Sequence, residues 1–468
     1  MDPFGSAVSL ARMIRTREIS PVEAAEAYLA RIDKYNPELN AVVWRNDQEV
    51  RAAARRAEQE VMDGADLAPF HGVPIPIKDL TSVKGQPNTC SSLAMSDAPQ
   101  ETSDLCAQKL EQAGFIFMGR TNSPELGPLT VSENARHGTT ANPWNHDYTP
   151  GGSSGGAAAA VAAGLAPVAH ASDGGGSIRV PSSACGIVGL KPSRGRIPQE
   201  VFGWEHSTTE GAVARHVEDA AAVLDALSGP DLHSWYSAPA PERPFAEEVG
   251  RDAGRLRIGL LLEAPTGLPV DAECAAAAEK LAGVLEGLGH EVCPASPVLY
   301  SREAGEAFQM IIGASLHAIE YENVDLVDPF IRHRLDQARQ FHAGQYAQAA
   351  ARLQLESRPL VAQWGRDFDV LLTPTMACET PRTGTVYHEA NTDPSGPRLT
   401  EMRMISFTSF CNISGLPAIS LPVHTSATGL PVGAQLVAGP YQEATLVRLA
   451  SAVEAVMDWT RTIAPQYA

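Results

Sequence analysis

The chain has 468 residues, 44% of them hydrophobic and 19% charged, a globular composition that excludes disorder, collagen and coiled coil as whole-chain answers. Its 36 basic against 55 acidic residues leave a formal net charge of -19, which repels phosphate backbones and argues against a nucleic-acid partner. No apolar run reaches the roughly 18 residues a membrane-spanning helix requires, so no membrane association is expected.

Met1-Asp2-Pro3-Phe4 carries an acid where an export signal needs a basic start, and no apolar stretch follows. Seven cysteines lie scattered, odd in number and without a CxxC, which points to a reduced, cytoplasmic setting. The 13 histidines form no HExxH and no closely spaced Cys/His cluster, so neither a metal nor a cofactor is expected. The length corresponds to about three domain-sized units or to one large α/β domain.

In chain order, Ser20-Pro21-Val22-Glu23 supplies a helix cap, a first-position proline and the glutamate of a capping box. Val22, Ala25, Leu29 and Ile32 then share a face, and Asn36-Pro37 is expected to stop the helix. A second helix from Asp47 to about Met62 carries a charge run that reads as a solvated face. Val73-Pro74-Ile75-Pro76-Ile77 alternates as a strand, but two prolines cannot donate to a ladder, so it belongs at an edge or is irregular. Leu105 to Ala113 reads as a helix leading into the strand Phe115 to Met118, an α/β alternation.

From Thr149 to Gly195, glycine and serine crowd while charge nearly vanishes. Gly156 leads into an alanine run with no polar face, which reads as a buried helix rather than a linker. The second half repeats the alternation. Strands are expected at Leu256 to Leu262 and Val370 to Leu372, a helix at Asp271 to Leu288, a hairpin from Ala418–Val423 and Val432–Val437, and a last helix from Glu443 towards Trp459. Pro230 to Arg251 reads as a long surface connection.

Two glycine-rich loops carry the chemistry. Gly151-Gly152-Ser153-Ser154-Gly155-Gly156 precedes a helix and would suit an anion, yet it lacks the lysine of a Walker loop. It also fits G-x-S-x-G, but no strand leads into it as a nucleophile elbow requires. Asp173-Gly174-Gly175-Gly176-Ser177-Ile178-Arg179 presents successive unobstructed amides, as an oxyanion hole does; alone, it also reads as a tight turn ending in a capping serine. A serine nucleophile needs a base. His170 is near in sequence but reads as a core or surface histidine, whereas a desolvated lysine can act as a neutral amine.

These loops, with Cys185 to Pro192, resemble the defining segment of the amidase signature enzymes. The similarity extends through Gly72-Val73-Pro74, Lys78-Asp79, Asn142-Pro143-Trp144, Asn412 to Pro422 and Gly429 to Gly433, nearly the whole chain. Lys78, Ser153 and Ser177 stand 75 and 24 residues apart, as this family's lysine, bridging serine and nucleophile do. The resemblance implies an α/β fold with one large domain, a central mixed β-sheet covered by helices. Within it, residues 1–65 would form N-terminal helices, 66–229 the signature core, 230–400 a variable helical pocket region and 401–468 the completing strands and helix. It implies Ser177 as nucleophile, Ser153 as bridge after a cis peptide bond, and Lys78 as ultimate base. Ser154, Asp173 and Arg179 would support them, and the amides of Gly174, Gly175, Gly176 and Ser177 would form the oxyanion hole.

Two positions depart from the pattern. Gly174 stands where the family commonly has threonine, so the loop is expected to be looser, and Ala157 replaces a frequent serine. The implied activity is hydrolysis of a small linear, aryl or cyclic amide through an acyl-enzyme, with carbamates and esters within reach, by a monomer or homodimer. Pocket walls are expected from Ser123–Thr130, Phe202–Thr209 and Tyr300–Tyr346, including Phe202, Trp204, Phe308, Met310, Ile311 and Tyr321. Ordinary packing is the competing reading for each of these six side chains. Two rivals remain: the glutaminase subunit of a tRNA-dependent amidotransferase, poorly matched at Ser123 to Pro128, and a catalytically silent binding protein.

Overall fold

In the computed structural model, which describes all residues 1–468, Ser20 caps the helix Pro21–Leu39 as its spacing predicts. Its Oγ accepts from the Glu23 N–H while the Glu23 carboxylate accepts from the Ser20 N–H, satisfying two orphan donors at once. The helix does not stop at Asn36-Pro37. Pro37 lies inside the last turn, and the end is set instead by Asn40 in the left-handed region (φ 51). Asn36 replaces the lost ladder with its side chain, accepting from the Ala41 and Val42 amides at 2.9 and 2.8 Å and donating to the Val42 carbonyl. Ala25, Leu29 and Ile32 are buried as expected, while Val22 is half-buried.

A helix the pattern did not reveal, Ala7–Arg15, precedes it. Its N-terminus is held from a distance: Ser6 Oγ and the Ala7 and Val8 amides all donate to the buried Asp219 carboxylate at 2.9–3.0 Å. Burial raises the Asp219 carboxyl to about 6 despite these bonds.

Two sheets position the site. The smaller has the order β1 (Val42–Trp44), β3 (Ile116–Thr121), β2 (Pro74–Lys78). Strand β2 is at its edge and slips register between Ile75 and Ile77, where its prolines leave the ladder without donors. The larger sheet is mixed and eight-stranded. Its strands are β4 (Val168–Asp173), β5 (Val188–Lys191), β6 (Thr209–Ala214), β7 (Arg257–Leu260), β8 (Glu291–Pro294), β9 (Val370–Pro374), β10 (Ala418–Thr425) and β11 (Pro431–Ala438). They run in the order β8-β7-β9-β11-β10-β5-β6-β4; β8, β7 and β9 are mutually parallel and the other neighbours antiparallel. Its edge strand β4 packs against β2, which brings the end of one sheet to the end of the other.

The alanine-rich helix Gly155–Ala162 is buried along its whole length, packed on β4 and on the helix Arg179–Cys185. The expected helix at residues 272–287, the hairpin β10–β11 and the final helix Glu443–Met457 all form. Residues 230–251 are irregular apart from one 3-10 turn, Phe245–Glu248, which buries Phe245. Between β8 and β9 the chain is helical, with Arg302–Ser315, Pro329–Ala338 and Ala343–Val361. One apolar core draws residues from Phe4 to Tyr467, and no helix is long and apolar enough to cross a membrane.

Asp219→Ala strands three donors at a helix start, and its expected cost is about 3 kcal/mol. A urea titration checks this through a lower midpoint at unchanged slope.

Candidate active site

Lys78 ends β2 and is fully buried. Its Nζ lies 2.7 Å from Ser153 Oγ, 2.9 Å from Ser154 Oγ and 3.0 Å from Ser172 Oγ, with the Ser172 carbonyl at 3.5 Å. No carboxylate is among its partners. Burial therefore pushes the amine down to about 7, opposed only in part by the more distant charges of Glu210 and Asp173. The main chain at Lys78 is pinned on both sides: its N–H donates to His170 Nδ1 (3.4 Å) and its carbonyl accepts from Arg120 Nη2 (3.1 Å). His170 thus belongs to the core and not to the surface.

The hydroxyls around Nζ differ in what they can do. Ser154 Oγ donates to the Ser172 carbonyl at 3.1 Å, so towards Lys78 it can only accept. Ser153 Oγ has Lys78 as its one partner, which leaves its proton free to pass to the amine. The Gly152–Ser153 peptide is cis, as the resemblance implies. A Cβ on Gly152 would lie 2.5 Å from the Val131 amide nitrogen, so only glycine lets the chain pass here. Ser132 Oγ accepts from the Gly155 amide and fastens the start of the buried helix.

Asp173 ends β4 and organises the second loop. Its carboxylate accepts from the Gly176 and Ile178 amides (2.7 and 3.0 Å), from Arg179 Nη2 and Nε (3.0 and 3.1 Å) and from Asn412 Nδ2 (2.8 Å). Burial alone would raise the carboxyl; the paired Arg179 guanidinium and these donors hold it well below the usual carboxylate range. Arg179 is itself fully buried and reaches on to Asn412, Gln435 and the Thr408 carbonyl. Gly176 sits at φ +137, with Thr408 against the position of its absent Cβ.

This geometry corrects one expectation: the Gly176 amide is taken by Asp173 and is not available to an oxyanion. The amides of Gly174, Gly175 and Ser177 donate to nothing in the structure. Ser177 is 8% exposed, and its hydroxyl makes no hydrogen bond. The structure therefore joins Lys78 to Ser153 directly, whereas Ser177 is tied in through its carbonyl, which accepts from the Ser154 amide at 3.3 Å.

The expected looseness at Gly174 is also corrected. The room vacated by a side chain is filled by the Trp204 ring, 2.5 Å from where a Cβ would stand. Trp204, Glu205 and His206 form a left-handed turn (φ 51, 50 and 63), rare for side-chain-bearing residues. It is held by Tyr346 to Glu205 at 2.9 Å, Tyr236 with His206 at 2.7 Å, and Arg194 to the His206 carbonyl at 2.6 Å. Phe308 meets the Trp204 ring edge-on, and Ile311 is packed in the same cluster with Met310 at its margin. Phe202 stacks on Tyr236, and Tyr321 donates to the Leu316 carbonyl, so both serve local packing.

Ser172, Thr408 and Gln435 also serve this site, and sequence reasoning missed them; the hydroxyl directly before Asp173 is the one signal that pointed to any of them. Cys106, His170 and Glu210 place donor atoms within 4.8 Å of one another. The Lys78 amide requires a lone pair on His170 Nδ1, so the ring proton sits on Nε2, where it faces Glu210 at 3.0 Å. On that tautomer Nε2 carries a proton and offers no lone pair to a cation.

A family model described as Amidase matches residues 23–447. The 6-aminohexanoate-cyclic-dimer hydrolase of Paenarthrobacter ureafaciens is 36% identical over 98% of this chain and 96% of its own. An acylamidase of Rhodococcus erythropolis is 34% identical over 97% and 96%. A solved structure of a 6-aminohexanoate cyclic dimer hydrolase superposes with a TM-score of 0.93 at 34% identity, covering 100% of this chain and 99% of that one.

Gly174→Thr forces a side chain into the Trp204 ring. The expected cost is about 1–3 kcal/mol of overpacking. Melting temperatures check it: the single variant falls, and the same substitution in a Trp204→Ala background costs much less.

Proposed function

Because this chain belongs to the amidase signature family, we propose that it cleaves the C–N bond of small carboxylic amides through an acyl-enzyme on Ser177, with Ser153 as bridge and Lys78 as base. The observation that carries this reading is the Lys78 amine, buried among hydroxyls with no carboxylate at hand and held near neutrality. Such an amine is unprotonated often enough at neutral pH to take a proton.

Ser177 Oγ attacks the carbonyl carbon as its proton passes to Ser153 Oγ and the Ser153 proton passes to Lys78 Nζ. The three free amides of Gly174, Gly175 and Ser177 meet the oxyanion. The C–N bond then breaks as the proton returns through Ser153 to the departing nitrogen, which is a poor leaving group until protonated. Water repeats the same sequence on the acyl-enzyme, and the products are a carboxylic acid and an amine. Cyclic, linear and aryl amides are the substrate class, in keeping with the names of the relatives, with carbamates and esters as side substrates of the same acyl chemistry. Trp204 and Phe308 form an aromatic wall beside the nucleophile loop.

Ser177→Ala is expected to abolish turnover across a screen of cyclic, aliphatic, aryl and carbamate substrates, together with labelling by a fluorophosphonate; near-normal activity would end the assignment. Only the neutral amine accepts a proton, so kcat/KM rises with pH through about 7 and then levels. Lys78→Ala removes that limb and lowers the plateau about 10²–10⁴-fold.

A further inference from the structure

At the main chain of Lys78, not at its amine, lies a pair of groups that the proposed reaction does not use. His170 on β4 is fully buried, and Glu210 on the neighbouring antiparallel strand β6 is 21% exposed. The ring joins two things: Nε2 donates to Glu210 Oε2 at 3.0 Å, and Nδ1 accepts the Lys78 main-chain N–H at 3.4 Å. Glu210 also lines a cavity of about 170 Å³ with Asp104, Cys106 and Glu200, so its carboxylate keeps some contact with water.

We propose that His170 and Glu210 are a positioning dyad for Lys78: Glu210 fixes the ring's tautomer, the ring holds the lysine main chain in place between the two sheets, and the carboxylate's charge steadies the ammonium formed during turnover. This rests on the reading of Lys78 as base.

Two observations support it, given that burying an imidazole is costly unless its nitrogens are bonded. The bonds His170 makes lead to Lys78 in one direction and to a carboxylate in the other. Of the charges around Lys78, the others are already matched: Asp173 pairs with Arg179, and Asp79 with Arg120 and His137. Glu210 has no lysine or arginine in ion-pair contact, only His170, and the groups facing it are Cys106, Asp104 and Glu200. Its field is left for the lysine, where it acts against the effect of burial.

The test follows the second-order rate of labelling by a fluorophosphonate against pH, which needs no known substrate. In the wild type the rate climbs along an acid limb that Lys78→Ala abolishes. Removing the carboxylate by Glu210→Gln makes the ammonium harder to form, so the limb moves to lower pH by at least half a unit, about a threefold higher relative rate on the acid side. Glu210→Asp keeps the charge and returns the limb to the wild-type position. His170→Leu, with its melting temperature recorded alongside, lowers the plateau about tenfold through the misplaced lysine. A limb unmoved in Glu210→Gln, a limb moved equally in Glu210→Asp, or an intact plateau in His170→Leu overturns the dyad while leaving Lys78 as base. A wild-type limb that survives Lys78→Ala overturns the base reading and the dyad with it.

Discussion

A primary amine kept out of water, with hydroxyls as its only side-chain partners, is the constraint around which this site is built. Lys78 cannot be neutral near pH 7 if a carboxylate bonds it, and it cannot be ordered if nothing does. The structure resolves this by surrounding Nζ with three serines and fixing the backbone at its N–H and its carbonyl. Charge is kept one step away, on Glu210 and Asp173, near enough to moderate the effect of burial and too far to bond.

The second loop obeys a related economy of donors. Asp173 takes the Gly176 and Ile178 amides for structure and leaves those of Gly174, Gly175 and Ser177 unspent. A buried carboxylate is tolerable because it faces a bidentate Arg179 and the Asn412 amide, which neutralise it and satisfy its lone pairs. The Trp204 ring closes over Gly174, so glycine there allows close approach of an aromatic ring and does not loosen the loop.

Much of this was legible in the sequence where the signal is local. The Ser20 capping box, the alanine-rich buried helix and the proline-bearing edge strand each follow from chemistry within a few residues. The termination assigned to Pro37 failed because the Asn36 side chain makes good the lost backbone bonds, a compensation that composition does not show. The helix Ala7–Arg15 was hidden because its anchor, Asp219, is more than two hundred residues away. The spacing of Lys78, Ser153 and Ser177 was readable only through a resemblance to a family. The spent amide of Gly176, the ring over Gly174 and the bonds of His170 were not, since each depends on which residue arrives from another strand or turn.

The arginine at the end of the second glycine-rich loop ties together distant stretches of the sequence. Arg179 is held by Thr408, Asn412 and Gln435, all more than two hundred residues further along the sequence. A chain nicked between Ser177 and Thr408 would keep this loop in order only while the two pieces stay together, so cohesion of the whole fold is a condition of the loop's geometry.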